Sequence, residues 1–537
     1  MTEKLRILFV SQESADVKKV GGLGEVVSNL SRSLANRGHQ VVVLMPSHGS
    51  EGGLKDLKLV GQAEHIKALT TVRSGVKYIL LADDGSVLSN PIVYSEGLTE
   101  KKITLMCRAM DLVSKLIKND LRGLDIVHVN DWHSVPVGAA LRERFPDAAF
   151  LFQIHLYIGK WVPNHYLFEE CLLNPEFRVK SLSFREAYDK ANGILEKFGA
   201  LIFDLLATVS KSYLEEIIKV INSGVERKST FIYNGCDWSI NKITSLVLAK
   251  HPNLPSSRRE RRRYLLEQAL SNLPPEEPVI DDDYLRSLVE TIGPPLFLKP
   301  RCPAPLSDGP LVLTTGRVSR QKGFDVLLKA VKYVIQSLKE VKFLLLLLPI
   351  RGEEGLVGEL ANMAQAYPDN VRIVYGLTPS IFHLAHISAD LFVAPSRWEP
   401  FGIMALEALS TGNPVVASKV GGLQEIVVDL RHNPEEGVGL LVPPEDPQEL
   451  ARAIISLVVL LCRSELLEHY SITYLKDLVY DNLKQLIDMP NFEKILRERC
   501  MLRVKQSFSW DNSAEMAERA YELALSLSSS SSIPRTS

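Results

Sequence analysis

The chain has 537 residues, 46% of them hydrophobic and 23% charged, a globular composition with length for roughly two to four domains. Lysine and arginine (62) nearly balance aspartate and glutamate (64), leaving a formal charge of -2; this argues against a general nucleic-acid or membrane-surface binder. The six cysteines lie far apart with no C-x-x-C pair, so a reduced, cytoplasmic protein without a zinc or redox motif is expected.

Arg6–Val10 opens the chain as a short apolar strand, its apolar core too short for a leader peptide. A Gly-Gly-Leu-Gly turn follows, then SNLSRSLANRG with apolar residues at helical spacing, then the strand QVVVLMP. Further strands are predicted at Ile126–Val129, Phe150–Ile154 and Leu206–Val209. The unbroken Val/Ile/Leu runs predict parallel sheets covered on both faces. Residues 240–308 are rich in proline, arginine and acids. RRERRRYLLEQAL (Arg258–Leu270) reads as a helix whose charged face is solvated, and the acids Asp281–Asp283 as a solvated turn.

Near Pro310 the pattern restarts: LVLTTG, VKFLLLLLP, VRIVYG, LFVAPS and NPVVAS are strands separated by helices. No apolar run reaches the roughly 18 residues of a membrane span. The predicted class is α/β, with two Rossmann-like doubly wound domains facing a cleft and a helical insertion between them. The predicted boundaries are 1–239 for the first domain and 240–308 for the insertion and linker. The second domain covers 309–500, a C-terminal helix 501–525 and a disordered tail 526–537.

One turn is written twice: VGGLGEVV at Val20–Val27 and VGGLQEIV at Val420–Val427, six of eight positions identical. Each copy follows a strand and opens a helix. Gly21–Gly22 and Gly421–Gly422–Leu423 therefore either offer backbone N–H groups to an anion or merely make a tight bend. Arg317 and Lys322 flank a loop between a strand and a helix. A planar fork and a point charge in that setting suit a diphosphate. Glu399, in the EPFG loop with Gly402, and Glu407, eight residues on, can accept sugar hydroxyl hydrogens.

These residues carry a resemblance. Arg317…Lys322 and the Glu399/Glu407 pair are similar to the motifs of retaining glycosyltransferases of the GT-B fold. Lys19-Val20-Gly21-Gly22-Leu23, NDWH (Asn130–His133), YNGCDW (Tyr233–Trp238) and FSW (Phe508–Trp510) resemble glycogen and starch synthases over Arg6 to about Ala524, the insertion excepted. The resemblance implies transfer of glucose from a nucleotide-glucose (ADP-glucose or UDP-glucose) to the non-reducing end of glycogen or another α-1,4-glucan, with retention. A sister transferase making trehalose, sucrose or another glucoside is the alternative; a non-catalytic glucan-binding protein is the alternative of another class. It implies that Lys19 reaches the donor phosphates, that Asp131 lines the catalytic cleft and that His155 stands beside the donor sugar. Asp131 has a second reading, as a helix N-cap. Neither a metal nor a cofactor is expected, nor a nucleic-acid or membrane partner; a homo-oligomer is left open. Leu156 replaces the familiar asparagine after His155, Glu25 stands where aspartate is frequent, and Leu377 where an aromatic often stacks the donor base.

Overall fold

The structure is a computed structural model that describes residues 4–529, except 55, 85, 222–223, 293–296 and 300–301. The expected disordered tail therefore lies, from residue 530 on, outside the described residues. The chain forms two compact units, Met1–Gly235 with Ser509–Ser537, and Cys236–Phe508.

The first unit is built on nine strands: β1 (Arg6–Val10), β2 (Gln40–Pro46), β3 (Lys58–Ala63), β4 (Ile66–Arg73), β5 (Val76–Ala82), β6 (Ile126–Asn130), β7 (Ala149–Ile154), β8 (Leu205–Thr208) and β9 (Ser229–Phe231). Their order is β9-β8-β7-β6-β1-β2-β5-β4-β3. From β9 to β5 neighbouring strands are parallel, in registers such as Leu8 with Val42 and Ile7 with Ile126. Ile7, Leu8, Phe9 and Val10 are wholly buried, which is why the run does not alternate. The edge departs from the expected parallel sheet, because β3 and β4 run antiparallel. Ser74 and Gly75, both at positive φ, make the tight turn from β4 to β5.

Helix α1 (Gly22–Asn36) buries Val26, Val27, Leu30 and Leu34 on one face. It packs against the C-terminal helix Trp510–Ser529. Glu518 of that helix takes Arg37 and His39, each at 2.9 Å. Tyr521 meets His128 Nδ1 at 2.9 Å, and His128 Nε2 meets Gln153 Oε1 at 2.9 Å, a buried polar chain reaching across β6 to β7.

The second unit holds a six-stranded parallel sheet: β10 (Leu311–Arg317), β11 (Lys342–Leu348), β12 (Val371–Tyr375), β13 (Leu391–Ala394), β14 (Val415–Ser418) and β15 (Gly439–Val442), ordered β12-β11-β10-β13-β14-β15. The 240–308 stretch lies in this unit, and its described residues include three α-helices, Ile240–Lys250, α2 (Arg258–Glu267) and Asp283–Ile292. Asp282 opens the last of these by accepting from the Leu285 N–H, and it pairs with Arg351.

The solvated reading of α2 holds for one face, where Arg259, Glu260, Arg263 and Glu267 are exposed, but it does not extend to Arg258 and Arg262. The Arg262 side chain is 1% exposed and binds Asp308 at 2.9 Å, Asp390 at 2.8 Å and Glu465. Arg258 donates to the carbonyls of Ala389 and Thr411 and to Asn413 Oδ1. The basic helix is thus tied into the unit by acids and carbonyls remote in sequence. Among the described residues no helix is long and apolar enough to cross a membrane.

Candidate functional site

Open parallel sheets bind ligands beyond the carboxyl ends of their strands, where the strand order reverses. In the second unit that point lies between β10 and β13. Arg317 ends β10, and Ser319 begins a tight turn that delivers Lys322 just ahead of helix α3 (Phe324–Ser337). Arg317 is exposed and forms no ion pair with a described residue. Lys322 Nζ donates to Glu399 Oε2 at 2.6 Å, and Ser396 Oγ donates to the same oxygen at 3.2 Å. Both side chains of the pair are largely covered, 15% and 9% exposed. The structure thus joins two site residues separated by 77 positions. Glu407 lies half-buried on the following helix, α4 (Ile403–Ser410).

The second Gly-Gly turn holds up the Glu399 loop. The Gly422 N–H donates to the Glu399 carbonyl at 3.1 Å. A Cβ on Gly421, at φ +42°, would lie 1.9 Å from that carbonyl oxygen, and one on Gly422 would lie 2.4 Å from Phe401 Cα. Leu423 is fully buried and fills the space where a Gly402 side chain would go.

In the first unit the order reverses between β1 and β6. Here Glu13, which the sequence reading missed, takes the first Gly-Gly turn. Its Oε2 accepts from the N–H groups of Val20 at 2.6 Å and Gly21 at 3.0 Å, while Tyr94 donates to Oε1 at 2.9 Å. The available signal was a lone acid directly after the first strand. Gly22 begins α1, and Lys19, half exposed, pairs with Glu25 in its first turn.

Asp131 follows β6 directly, at φ +57°. Its side chain does not cap the helical turn that follows. Oδ1 accepts instead from the N–H groups of His155 at 2.7 Å and Leu156 at 3.1 Å, so the N-cap reading fails. Burial pushes the Asp131 carboxyl up to about 7, against those two amide bonds. Asn130 Nδ2 donates to the carbonyls of Val10 and His128, which turns its Oδ1 toward His155 Nε2 at 3.0 Å. Nε2 must therefore carry the hydrogen and Nδ1 the lone pair. Burial also pushes His155 down to about 3. At neutral pH the ring is an acceptor for a hydroxyl, not a cation. Beyond Leu156, Tyr213 Oη accepts from the Tyr157 N–H, and Glu196 accepts from those of Ile158, Gly159 and Lys160, which fixes the loop.

A pH prediction follows. Because Asp131 is neutral below about 7, a reaction needing its carboxylate rises with pH and levels off above that value. In Asp131→Asn the rising limb of kcat/KM is lost; an unchanged limb assigns it to another group.

Two largely parallel α/β units, each with polar side chains gathered at its reversal point, have the architecture of the GT-B fold, and the family matches place glycosyltransferases on it. Residues 6–227 match the family described as starch synthase catalytic domain, and residues 309–459 match glycosyl transferases group 1. The chain is 26% identical to a glycogen synthase of Geotalea daltonii, over 97% of this chain and 99% of that one. It is 27% identical to glycogen synthase 2 of Nitrosococcus oceani, over 84% and 89%. The catalytic domain of starch synthase IV from Arabidopsis thaliana, solved with ADP and acarbose, superposes with a TM-score of 0.68 at 20% identity, covering 98% of this chain and 100% of that one. Along most of its length the chain is similar to glycogen synthases, and its first unit to the starch synthase catalytic domain.

Proposed function

We propose that this protein transfers glucose from a nucleotide-glucose to the non-reducing end of an α-1,4-glucan with retention of configuration. The observation that carries this is the Lys322–Glu399 pair at the reversal point of the second unit, where Arg317, without an ion pair among the described residues, ends β10. Arg317 and Lys322 stabilise the negative charge that grows on the departing diphosphate. With retention, the acceptor hydroxyl attacks on the face the diphosphate leaves, and a departing oxygen takes its proton. Glu399 and Glu407 hold donor sugar hydroxyls, with Gly402, Gly421, Gly422 and Leu423 shaping the loop that carries Glu399. In the first unit His155 Nδ1 accepts a sugar hydroxyl hydrogen and Asp131 orients the acceptor. Lys19, once released from Glu25, serves the donor phosphates, its amide turn kept in shape by Glu13. The balanced charge and the widely separated cysteines support a cytoplasmic enzyme.

The test is turnover with ADP-glucose and UDP-glucose, each offered with glycogen or with free glucose. Label entering glycogen, with release of the nucleoside diphosphate, supports the reading. Label entering only free glucose replaces it with a small-acceptor transferase, and glycogen binding without diphosphate release replaces it with a non-catalytic glucan binder.

A further inference from the structure

Lys322 and Glu399 sit on separate loops, and neither loop fixes the other through that ion pair alone. The side chain that ties the two loops together is Arg397. Its Nη1 and Nη2 meet the two oxygens of Asp325 at 2.8 and 2.9 Å. Nη1 also donates to the Arg320 carbonyl at 2.7 Å, and Nε pairs with Glu445. The Arg397 N–H donates to the Gln321 carbonyl at 2.8 Å, and Gln321 Nε2 returns a bond to the Trp398 carbonyl at 2.9 Å. Residues 320, 321 and 325 surround Lys322 in sequence; residues 397 and 398 directly precede Glu399.

Two features make this seam rigid. Gly323, at φ +66°, passes so close to the second loop that a Cβ would lie 2.0 Å from the Pro395 carbonyl oxygen. Asp325 is buried in the first turn of α3. Burial alone would raise its carboxyl, yet the Arg397 bonds bring it down to about 2, so the fork closes on a full charge.

We propose that Arg397 is a positioning residue for the reaction: through Asp325 and the Arg320 and Gln321 backbone it sets the Lys322 ammonium against the Glu399 carboxylate, without itself touching the donor. Planarity matters here, because only a guanidinium closes on both Asp325 oxygens while also serving the Arg320 carbonyl. The inference rests on the assignment of Lys322 to the donor diphosphate.

The experiment is a double-mutant cycle on the full-length enzyme with glycogen as acceptor. Arg397→Ala is expected to lower kcat by about tenfold to a hundredfold, the scale of a misplaced catalytic group, with a smaller change in donor KM. Arg397→Lys, which cannot make the double contact, recovers only part of the loss. The decisive arm is Arg397→Ala combined with Lys322→Ala, expected to be no slower than Lys322→Ala within about twofold, because nothing is left to position. A merely structural residue would give multiplied losses, and multiplied losses overturn the proposal, as does a wild-type rate in Arg397→Ala. Should Arg397→Ala not fold, Asp325→Asn removes the same fork with little change of volume and takes its place in the cycle. A wild-type rate in Lys322→Ala alone fails the functional reading instead.

Discussion

Lys322→Ala turns over about a hundredfold or more slowly, the scale seen when one preorganised donor is removed from an oxyanion site. Two effects act in the same direction. The ammonium that meets the leaving diphosphate is gone, and the Glu399 carboxylate it neutralised at 2.6 Å is left in a largely covered site with Ser396 as its remaining side-chain donor among the described residues. An uncompensated carboxylate there repels the charge that develops in the transition state. Lys322→Arg restores the charge with a different reach and recovers part of the rate. Initial rates at saturating glycogen over a range of donor concentrations check this, with thermal unfolding as the control for folding. A wild-type rate in a folded variant would place the diphosphate elsewhere.

Arg262→Ala is expected to cost about 3–5 kcal/mol of stability, the usual loss when one partner of a buried ion network is removed. Asp308, Asp390 and Glu465 all converge on this guanidinium, and Arg497 reaches Asp390 only at 3.5 Å. Asp390 directly precedes β13 and accepts from the first N–H of β10 at 2.8 Å, so the loss acts on the two central strands of the second unit. Denaturant unfolding monitored separately for the two units, by proteolysis sites or by mass-labelled hydrogen exchange, checks it. The second unit should open at lower denaturant while the first is unchanged. Arg263→Ala, whose side chain is half exposed, should move neither unit by more than about 0.5 kcal/mol.

These two arginines show what the amino-acid order conveys and where it stops. The strand runs of both units, the helix after each glycine turn and the Arg317–Lys322 loop are local patterns, and local patterns are legible. The fate of RRERRR is not local: partners 46 to 203 residues away decide that Arg262 is buried while Arg263 is wet. Asp131 repeats the lesson. Its acid-then-aromatic setting suggests a helix cap, but the pairing of β6 with β7 brings the His155 and Leu156 amides to it first. The antiparallel edge formed by β3 and β4 went unread because half-exposed strands lack the dense apolar runs of the sheet centre. Glu13 was legible as a buried acid only once β1 had been placed in the middle of its sheet.

The C-terminal helix has a practical consequence. It supplies Glu518 to Arg37 and His39 and Tyr521 to His128, all in the first unit, although the whole second unit, Cys236–Phe508, intervenes in the chain. A contiguous N-terminal fragment stopping near residue 235 would lack the cover for α1 and β7, leaving apolar surface for aggregation. Supplying residues 509–529 as a separate peptide, or grafting them onto that fragment through a short linker, should rescue solubility.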